Sequence, residues 1–501
     1  MQGIERETLK ERLRARGICV IIPTYNNEQT VQQVVESAQE YCADVIVVND
    51  GSTDCTAQIL SEISGITLVS YEHNRGKGYA LRQGFERAKA LSFAYAITLD
   101  ADGQHYAKDI PSFLQANIAR PGALIVGARD LNGVERSSGS SFANRFSNFW
   151  FFVQTGKRLA DTQTGYRLYP IKKLRYLRVM PARYEAELAL MVLASWHGVP
   201  LVSIPVDVYY PPKEERVSHF RPYKDFLRIT VLNTVLCFLA VVYGLPCRLV
   251  RGLVRMVRTV YSLFIFSFFS FFVVTPLAYL YLKWGKMTEA KRRNLHRMIY
   301  SLARIIVLKH GIPGGKFSCH IAKQVDFDKP SVLICNHQSH LDLICQLTLT
   351  PKVVFLTNQW VWRNPFYGYV IRHAEYQTVT EGIDALLPKL RLLVDRGYSI
   401  ALYPEGTRSA DCRISRFHRG AFYIAEQLHL GITPMFLYGT GRRLPKKKYS
   451  LHRSPIYLEV EETMTQAQLQ AIGSPMEQAK WMRRHYVEKY NTLCDEFEKN
   501  S

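Results

Sequence analysis

The stretch Tyr95–His105 reads Tyr-Ala-Ile-Thr-Leu-Asp-Ala-Asp-Gly-Gln-His, an apolar run that ends abruptly in acidic residues. Its first part, Tyr95–Leu99, has the length and composition of a buried β-strand. Asp100, Asp102 and Gln104 follow at alternate positions, which point the same way in an extended chain. Oxygen ligands of this kind suit Mg²⁺ or Mn²⁺. An Asp-x-Asp alone is weak evidence, so the surrounding chain decides its meaning.

Strands and helices alternate around this run, from residue 17 to about residue 225. Further strands are predicted at Ile18–Ile22, Val45–Val48, Ile66–Val69 and Leu124–Val126, and helices at Glu28–Tyr41 and Gly78–Leu91. Such alternation is typical of βαβ units around a mostly parallel sheet. Open α/β sheets bind ligands where the carboxyl ends of their strands meet.

Three more polar segments fall at or near that edge. Residues 23–28 (Pro-Thr-Tyr-Asn-Asn-Glu) and 49–54 (Asn-Asp-Gly-Ser-Thr-Asp) each follow a predicted strand. Asp50 is placed to accept hydrogen bonds from a base or a ribose, although a turn with a helix cap explains Asp-Gly-Ser equally well. Residues 74–78 (Asn-Arg-Gly-Lys-Gly) precede a helix and suit close approach to a phosphate. A loop with solvated charges is an equal alternative there.

Taken together, residues 17–225 resemble the inverting GT-A glycosyltransferases, and among them the dolichol-phosphate-mannose and polyprenyl-phosphate-glucose synthases. The matching segments are Pro23–Asn26, Asn49–Asp54, Asn74–Gly78, Asp100–Asp102 and Asp161–Arg167. The resemblance implies a nucleotide-sugar donor, a lipid-linked or amphiphilic acceptor, and Mg²⁺ or Mn²⁺ as cofactor. The residues that it implies for nucleotide-sugar binding are Pro23, Tyr25, Glu28, Asp50, Lys77, Asp100 and Arg129.

The same resemblance implies that Asp102 and Gln104, with Asp100, hold the metal, which would offset the charge of the departing diphosphate. An alcohol acceptor would also need a general base, for which the candidates are Asp161, Glu185 and Glu187. A phosphate acceptor is already ionised and would need none. Arg216, His219 and Arg221 could hold such a phosphate, although the charge found beside any membrane segment explains them equally well.

After residue 225 the composition shifts sharply. Ile229–Leu245 and Val260–Leu282 contain no charged residue, and the second run is long enough to cross a bilayer, which takes roughly 20 residues. A buried core helix is the alternative. We expect a monotopic or re-entrant hairpin, because two full spans would put the arginine-rich turn on the side opposite the domains.

Four arginines lie between these two runs. Arg248, Arg251, Arg255 and Arg258 share one helical face, which is typical of a helix in the membrane interface with arginines on lipid phosphates. A solvated basic face is the alternative interpretation.

A second constellation of polar residues begins after the predicted strand Ser331–Cys335. His337 and Asp342 are five residues apart, so on a straight helix they would lie roughly 140° apart. They meet only if the chain turns between them, and Ser339 as a helix cap would make that turn. A carboxylate that orients an imidazole would suit His337 as a base for an acceptor hydroxyl.

A second strand, Ser399–Tyr403, ends in Pro-Glu-Gly-Thr-Arg-Ser, which places a guanidinium and a glycine turn near a phosphate. With Phe417–Gly420 and Ile432–Pro434, residues 330–440 resemble the lysophosphatidic acid acyltransferase family. The resemblance implies a general base (His337), its orienting partner (Asp342), an acceptor-binding motif (Glu405, Gly406, Thr407 and Arg408) and direct transfer from acyl-CoA or acyl carrier protein.

The chain departs from this family in one respect. Family members usually carry an arginine downstream of the Gly368 region that contacts the acceptor phosphate, and only Arg372 lies near it here. The acceptor is therefore expected to differ from glycerol phosphate.

The predicted fold is α/β throughout: a GT-A nucleotide-sugar-binding domain, an apolar membrane segment and an α/β glycerolipid acyltransferase domain. The boundaries are a charged N-terminal helix (1–16), the GT-A domain (17–225), a membrane-associated segment (226–284), a basic amphipathic helix (285–310), the acyltransferase domain (311–470) and a C-terminal helix (471–501).

Charge and cysteine usage narrow the partners and the compartment. The net charge of +21 fits anionic lipid surfaces and phosphorylated substrates; nucleic acid is not expected, because zinc-finger spacings and RNA-binding aromatic signatures are lacking. Ten scattered cysteines indicate a reducing compartment, and the charged first 17 residues do not read as a signal peptide. We expect a cytoplasmic-membrane protein with both domains on the cytoplasmic side.

The sequence therefore predicts a bifunctional glycosyl- and acyltransferase of lipid biosynthesis. One alternative keeps only the glycosyltransferase active and makes the acyltransferase-like half a lipid-binding docking module. A non-enzymatic basic membrane scaffold is the third interpretation, and two unrelated sets of catalytic residues disfavour it.

Overall fold

The computed structural model describes residues 2–129, 138–174, 181–183, 185–209, 222–309, 315–364, 368–448 and 450–499. The chain divides into two compact units, Met1–Arg251 with Cys494–Ser501, and Gly252–Leu493. The division falls inside the segment 226–284, which was expected to stand apart from both domains.

The first unit is built on seven strands. They are β1 (Ile18–Thr24), β2 (Val45–Asn49), β3 (Ile66–Ser70), β4 (Tyr95–Thr98), β5 (Leu124–Arg129), β6 (Arg167–Pro170) and β7 (Leu201–Val206). The helices are α1 (Gln2–Ala15), α2 (Val31–Tyr41), α3 (Thr56–Glu62), α4 (Lys77–Ala90), α5 (Ile110–Ala119), α6 (Ser138–Thr155), α7 (Glu185–Trp196) and α8 (Pro222–Leu239).

These strands form one sheet in the order β3-β2-β1-β4-β6-β5-β7, with β6 antiparallel to both neighbours. Alternate residues of the fully buried β1 feed two apolar layers, Val20 on one face and Ile21 on the other. The register pairs Thr24 with Asn49, so the polar segments after β1 and β2 leave the sheet side by side.

The second unit also contains seven strands, which are β8 (Phe317–Ile321), β9 (Val332–Cys335), β10 (Val353–Thr357), β11 (Gln377–Thr378), β12 (Ser399–Leu402), β13 (Ile432–Tyr438) and β14 (Ile456–Val460). The helices from residue 245 onward are α9 (Leu245–Phe268), α10 (Thr275–Lys283), α11 (Glu289–Arg304), α12 (Leu341–Gln346), α13 (Gln359–Trp362), α14 (Gly368–His373), α15 (Ile383–Asp395), α16 (Gly420–Gln427), α17 (Thr440–Arg443), α18 (Gln466–Ile472) and α19 (Pro475–Lys499).

The second sheet has the order β11-β10-β12-β9-β13-β14-β8, in which β13 and β14 are antiparallel. The central strand β9 pairs in parallel with β12 and β13, and Ile334 lies opposite Leu402. His337 and Glu405, which follow β9 and β12, therefore leave the sheet at the same edge. Both predicted α/β regions and their central strands are confirmed.

The expected hairpin between the two apolar runs is not found. α8, α9 and α10 follow one another as continuous helix from residue 222 to residue 283, joined by π-helical turns at Ala240–Gly244 and Phe269–Val274. Among the described residues, Leu227–Ile265 is the one helical segment long and apolar enough to cross a membrane, by length and composition. Such a segment is weak evidence for a span.

The four arginines of α9 do not share one environment, contrary to the expectation that all face lipid phosphates. Arg248 donates to the carbonyl of Thr155, and Arg251 to that of Trp196, at the carboxyl ends of α6 and α7. Cations there satisfy unpaired carbonyls and favour the helix dipole. Only Arg255 and Arg258 belong to the second unit.

Candidate active sites

A half-buried ion cluster lies at the carboxyl edge of the first sheet. The Lys77 ammonium is 2.8 Å from Asp100 Oδ1, 2.9 Å from Asp100 Oδ2 and 3.1 Å from Glu187 Oε2. Burial opposes the charge of Lys77, but the two carboxylates hold its pKa above the ordinary value. Lys77 was expected at the nucleotide phosphates, and Asp100 at the metal. In this structure the two residues are each other's counter-ions.

Asp102 lies beside this cluster and is exposed. Desolvation by the surrounding protein and the negative charge of the neighbouring Asp100 raise the pKa of Asp102 to about 6. After Leu99 the chain turns through Gly103, which has φ of 73°, so the alternation expected of an extended chain does not continue. The backbone amide of Gln104 donates to Asp102 Oδ1 at 3.0 Å, and this hydrogen bond closes the turn.

The charges at this edge fit a divalent cation. Three carboxylates, those of Asp100, Asp102 and Glu187, face the Lys77 ammonium and the buried Arg167 guanidinium, which leaves an excess of one negative charge. Within the described part of the chain, no group of three or more His, Cys, Asp or Glu forms a ready-made metal site. Mg²⁺ commonly uses one or two protein ligands together with substrate phosphates and waters. The Asp102 carboxylate and the side-chain amide oxygen of Gln104 could provide such a partial ligand set.

Asp50 organises the neighbouring loop. It is buried, and its two carboxylate oxygens accept from the amides of Arg75 at 2.9 Å and Gly76 at 2.8 Å. Each oxygen keeps a lone pair for a ligand. Contact with a base therefore stays a prediction for Asp50, beside a structural role that the sequence did not reveal.

The segment after β1 is bound to the segment after β2. Glu28 accepts at 3.0 Å from the amide of Cys55, next to the start of α3, so it acts as a capping group. Pro23 lies buried inside β1, opposite Val48, and Tyr25 is half-buried just beyond the strand. These residues lie at the carboxyl edge of the first sheet. Their contact with a nucleotide sugar stays a prediction.

Arg129 and Asp161 form a bidentate ion pair. Arg129 Nε lies 2.5 Å from Asp161 Oδ2, and Arg129 Nη2 lies 3.1 Å from Asp161 Oδ1. Asp161 is fully buried, and although burial opposes ionisation, Arg129 and the Gln163 amide lower its pKa. A buried carboxylate with a lowered pKa is a poor proton acceptor, which argues against Asp161 as the general base.

Glu187 is better placed than Asp161 to accept a hydrogen bond from a ligand. It is buried and faces Lys77 through Oε2, whereas its Oε1 has no hydrogen-bond partner in the structure. The sequence named Glu187 only as one of three possible bases. The proposed acceptor-phosphate residues Arg216, His219 and Arg221 lie outside the described residues.

In the second unit, His337 and Asp342 meet as expected. His337 Nδ1 lies 2.9 Å from Asp342 Oδ2, and Asp342 is fully buried. The same oxygen accepts from the amides of Gln338 at 2.7 Å and Ser339 at 2.8 Å, so Asp342 itself closes the turn. Ser339 Oγ adds a longer contact of 3.3 Å to the amide of Leu341.

The imidazole of His337 is fixed from several sides. Its ring stacks on Tyr403 at 3.9 Å between centroids and 15° between planes. With Nδ1 on Asp342, the other ring nitrogen, Nε2, is the one that could take a proton from a hydroxyl. The arrangement is that of an oriented general base.

Glu405 holds this site together rather than facing solvent. It is buried, with Oε1 accepting from the His337 amide and Oε2 from the Ser415 amide, both at 2.8 Å. Burial raises the pKa of Glu405, although both amides oppose that rise. Its predicted role in acceptor binding is therefore best understood as positioning of the His337 turn.

The exposed part of this motif is Gly406–Arg408. Gly406 has φ of 67°, Thr407 is exposed and Arg408 is partly exposed. Lys446 was not singled out in the sequence, yet its Nζ lies 3.2 Å from Thr407 Oγ1 and 2.5 Å from the Arg408 carbonyl. A loop lysine some forty residues downstream carries no sequence signal that would have found it.

Comparisons with known proteins agree with the division into two units. Residues 19–175 match the model of glycosyl transferase family 2, and residues 316–438 match that of the acyltransferase family. The chain is 28% identical over 215 residues to a UDP-N-acetylglucosamine–dolichyl-phosphate N-acetylglucosaminyltransferase of Methanococcus voltae, which covers 38% of this chain and 86% of that protein.

The second half is similar to glycerolipid acyltransferases. It is 30% identical over 173 residues to a 1-acyl-sn-glycerol-3-phosphate acyltransferase of Cocos nucifera, covering 32% of this chain and about half, 52%, of that relative. The solved acyltransferase PlsC of Thermotoga maritima aligns over 48% of this chain and 98% of its own, with 18% identity and a TM-score of 0.40. Residues 19–175 thus form a glycosyl transferase family 2 domain, residues 316–438 form an acyltransferase family domain, and the chain that contains both is a transferase.

Proposed function

We propose that this chain is a bifunctional membrane-associated enzyme of glycolipid biosynthesis. One domain would transfer a sugar, with inversion and with Mg²⁺ or Mn²⁺, from a nucleotide sugar to a lipid-linked or amphiphilic acceptor. The other would transfer an acyl chain from acyl-CoA or acyl carrier protein to a hydroxyl. The observation that carries the proposal is the presence of two separate polar sites, around Lys77 and around His337, in one chain.

The charge balance of the first site supports metal dependence. Lys77 and the buried Arg167 together balance Asp100 and Glu187, so Asp102 is left as the uncompensated carboxylate. Asp102 and Gln104 would hold the cation, which supplies positive charge to the departing nucleotide diphosphate. Arg129 is bound to Asp161 through two of its nitrogens, so a phosphate would have to share the guanidinium with this ion pair.

Two of the three candidate bases for an alcohol acceptor are already engaged in ion pairs. Asp161 is paired with Arg129, and Glu187 with Lys77. A phosphate acceptor needs no base. The UDP-N-acetylglucosamine–dolichyl-phosphate transferase of Methanococcus voltae is named for such an acceptor. We therefore propose a lipid phosphate as the sugar acceptor.

The second site supports direct acyl transfer. His337 Nε2 would take the proton of an acceptor hydroxyl while that oxygen attacks the thioester carbonyl. The new C–O bond forms as the C–S bond breaks, and the proton passes from His337 to the departing thiolate. Asp342 would stabilise the imidazolium in between, through the 2.9 Å contact to Nδ1.

Reciprocal variants test both halves. We expect Asp102→Asn to abolish glycosyl transfer and leave acyl transfer intact, because the metal loses its anionic ligand. We expect His337→Ala to lower acyl transfer roughly a hundredfold or more and to spare glycosyl transfer. Full glycosyl transfer by Asp102→Asn in saturating Mg²⁺ and Mn²⁺ would disprove the metal assignment.

The docking-module alternative makes a different prediction. If the second unit only binds lipid, the wild-type protein should hydrolyse sugar nucleotides but no acyl thioester, and His337→Ala should change neither rate. The buried Asp342 with three hydrogen-bond donors around one oxygen favours catalysis over docking, since a lipid-binding surface needs no oriented imidazole.

A further inference from the structure

The imidazole of His337 is bound at its edge and covered on one face. Its Nδ1 lies 2.9 Å from Asp342 Oδ2, and the Tyr403 ring lies nearly parallel to it, at 3.9 Å between centroids and 15° between planes. One hydrogen bond fixes a single point of the imidazole and lets the ring rock about that point. A parallel surface opposes the rocking. The two contacts together therefore fix the direction in which Nε2 points.

The Tyr403 ring is itself held at both ends. Tyr403 follows β12 directly, and its carbonyl accepts from the Gly406 amide at 3.0 Å. Its hydroxyl accepts from Gln346 Nε2 at 3.0 Å, and Gln346 is buried. Because backbone and hydroxyl are both bound, the phenol offers the imidazole a fixed surface.

The short helix α12 supplies both supports of His337. Asp342 and Gln346 are four residues apart on α12, a spacing that places them on one helical face. Asp342 binds the edge of the imidazole, and Gln346 binds the phenol that covers its face. The contacts thus form a closed loop from His337 through Asp342, α12, Gln346 and Tyr403 back to His337.

The surroundings make a positive charge on His337 costly. Burial, the Arg408 guanidinium and His337 all lower the pKa of His340, so these basic groups lie close together. When His337 takes the proton of an acceptor hydroxyl, its ring becomes positive beside them. The face of a phenol attracts a cation that lies within about 6 Å of the ring centre. The stack on Tyr403 therefore opposes this repulsion.

The phenol of Tyr403 stays neutral in this position. Burial and the Asp342 carboxylate raise the pKa of Tyr403 well above the ordinary value. A neutral phenol does not compete with His337 as the base, and its hydroxyl is already engaged by Gln346. Its contribution is thus the face of the ring.

We propose that Tyr403 is a positioning residue for acyl transfer, whose ring holds the plane of the His337 imidazole and stabilises the imidazolium. The proton passes from the acceptor hydroxyl to Nε2 and then to the departing thiolate, and Tyr403 exchanges no proton in either step. The inference rests on the proposed acyltransferase function and adds a residue to it. The alternative is simple packing of an aromatic ring at a strand end.

Conservative and non-conservative variants of the full-length protein test the stack. With palmitoyl-CoA as the thioester and water as the acceptor, Tyr403→Leu should lower kcat roughly tenfold and leave KM unchanged. Tyr403→Phe keeps the ring and should keep kcat within about threefold of wild type. Tyr403→Met takes the place of the leucine variant if that protein does not fold. Equal kcat in the phenylalanine and aliphatic variants would overturn the proposal.

Tyr398 provides a matched control at the other end of the same strand. It precedes β12, is buried, and its hydroxyl donates to Glu289 Oε1 at 3.2 Å. Its ring also lies beside a histidine, 4.9 Å from that of His296. Tyr398→Leu should keep the wild-type kcat. An equal loss of kcat in Tyr398→Leu and Tyr403→Leu would show that any missing buried tyrosine lowers the rate.

Chemical modification of His337 keeps the two proposals apart, because it needs no turnover. Diethyl pyrocarbonate acylates free imidazole nitrogens, and mass spectrometry counts the groups added. Wild type and Tyr403→Phe should gain one group on His337, since Asp342 occupies Nδ1. Tyr403→Leu should gain a second as the ring turns away from Asp342.

The modification pattern and the release of coenzyme A can fail separately. Wild-type protein that shows the expected pattern but never releases coenzyme A would refute the proposed acyltransferase activity and retain the positioning contact. Turnover with a single added group in all three proteins would refute positioning by Tyr403 and retain the activity.

Discussion

Gly165 lies so close to the Asp100–Lys77 ion pair that a side chain does not fit there. A Cβ at this position would be 2.4 Å from Asp100 Oδ2 and 2.9 Å from Lys77 Nζ. We expect Gly165→Ala to separate the pair and to lower glycosyl transfer roughly tenfold to a hundredfold, since a displacement of about 1 Å can cost that much. Initial rates with saturating sugar nucleotide would measure it.

The control is Gly252→Ala in α9, where a Cβ meets nothing within 4 Å. Both variants should keep wild-type acyl transfer. Unchanged glycosyl transfer in Gly165→Ala would mean that the ion pair is not part of the site.

His296 on α11 predicts how acid affects the second unit. It is buried, its Nε2 lies 3.0 Å from the Ala374 carbonyl, and burial lowers its pKa to about 4. The pKa in the unfolded chain is higher, about 6.5, so the folded state binds fewer protons between the two values. Stability from neutral His296 is therefore complete above about pH 6.5 and decreases as the pH falls toward 4, by up to roughly 3 kcal/mol.

Thermal unfolding of wild-type protein and His296→Gln at pH 7 and pH 5 would measure this effect. The glutamine amide can still donate to Ala374, so we expect the variant to be less stable at pH 7 but to lose less on acidification. Equal acid sensitivity of the two proteins would show that His296 does not titrate in this range.

The sequence predicted which side chains contact one another only where the two residues are close along the chain. His337 and Asp342 are near in sequence, so local turn chemistry was enough to bring them together. Lys77 and Glu187 are far apart in sequence, and their ion pair exists only because α4 and α7 pack in the same layer. Such pairing depends on tertiary structure, which single motifs do not contain.

Among the elements, α9 is attached to the first unit by its own arginines. Arg248 and Arg251 donate to carbonyls at the ends of α6 and α7. We expect Arg248→Gln and Arg251→Gln each to destabilise those last turns by about 1 kcal/mol, the usual scale for a cation at a helix carboxyl end. Amide hydrogen exchange in the last turns of α6 and α7 should become faster.

Arg255→Gln removes the same charge from the same helix, and Arg255 belongs to the other unit. Amide hydrogen exchange in α6 and α7 should be as slow in this variant as in the wild-type protein. If all three variants exchanged alike, the two contacts would be incidental.

Of the fourteen strands in the described residues, five in the first sheet and two in the second were predicted to within a few residues, because buried parallel strands are short apolar runs bounded by polar residues. The hairpin was wrong for a physical reason. Apolar composition does not distinguish helical faces, so it could not show that Leu232 and Leu236 pack on the core of the first unit, whereas Leu227 and Phe238 are exposed. Apolar composition also could not show that Arg248 and Arg251 would contact the first unit while Arg255 and Arg258 belong to the second.

For the molecule as a whole, we predict that the two reactions are consecutive steps on one lipid. Joining the sites in one chain raises the effective concentration of each near the other's product. With purified protein, lipid acceptor, both donors and labelled acyl chain, acyl incorporation should require the sugar nucleotide. It should vanish in Asp102→Asn and return when glycosylated lipid is supplied.

Acylation of the bare lipid at full rate without sugar nucleotide would exclude this order. The chain would then contain two activities that act on separate lipids. Co-expression of two membrane enzymes would be the reason for the fusion.

The pairing of β8 with β14 sets a condition on biosynthesis. β8 is the edge strand of the second sheet, and β14 is its one neighbour there, although β14 comes far later in the chain. At about 5–20 residues per second, a ribosome needs on the order of ten seconds to make the chain between them. During that time the nascent β8 has no strand to pair with, so the second unit is expected to depend on chaperones during translation more than the first, whose central strands lie close together in sequence.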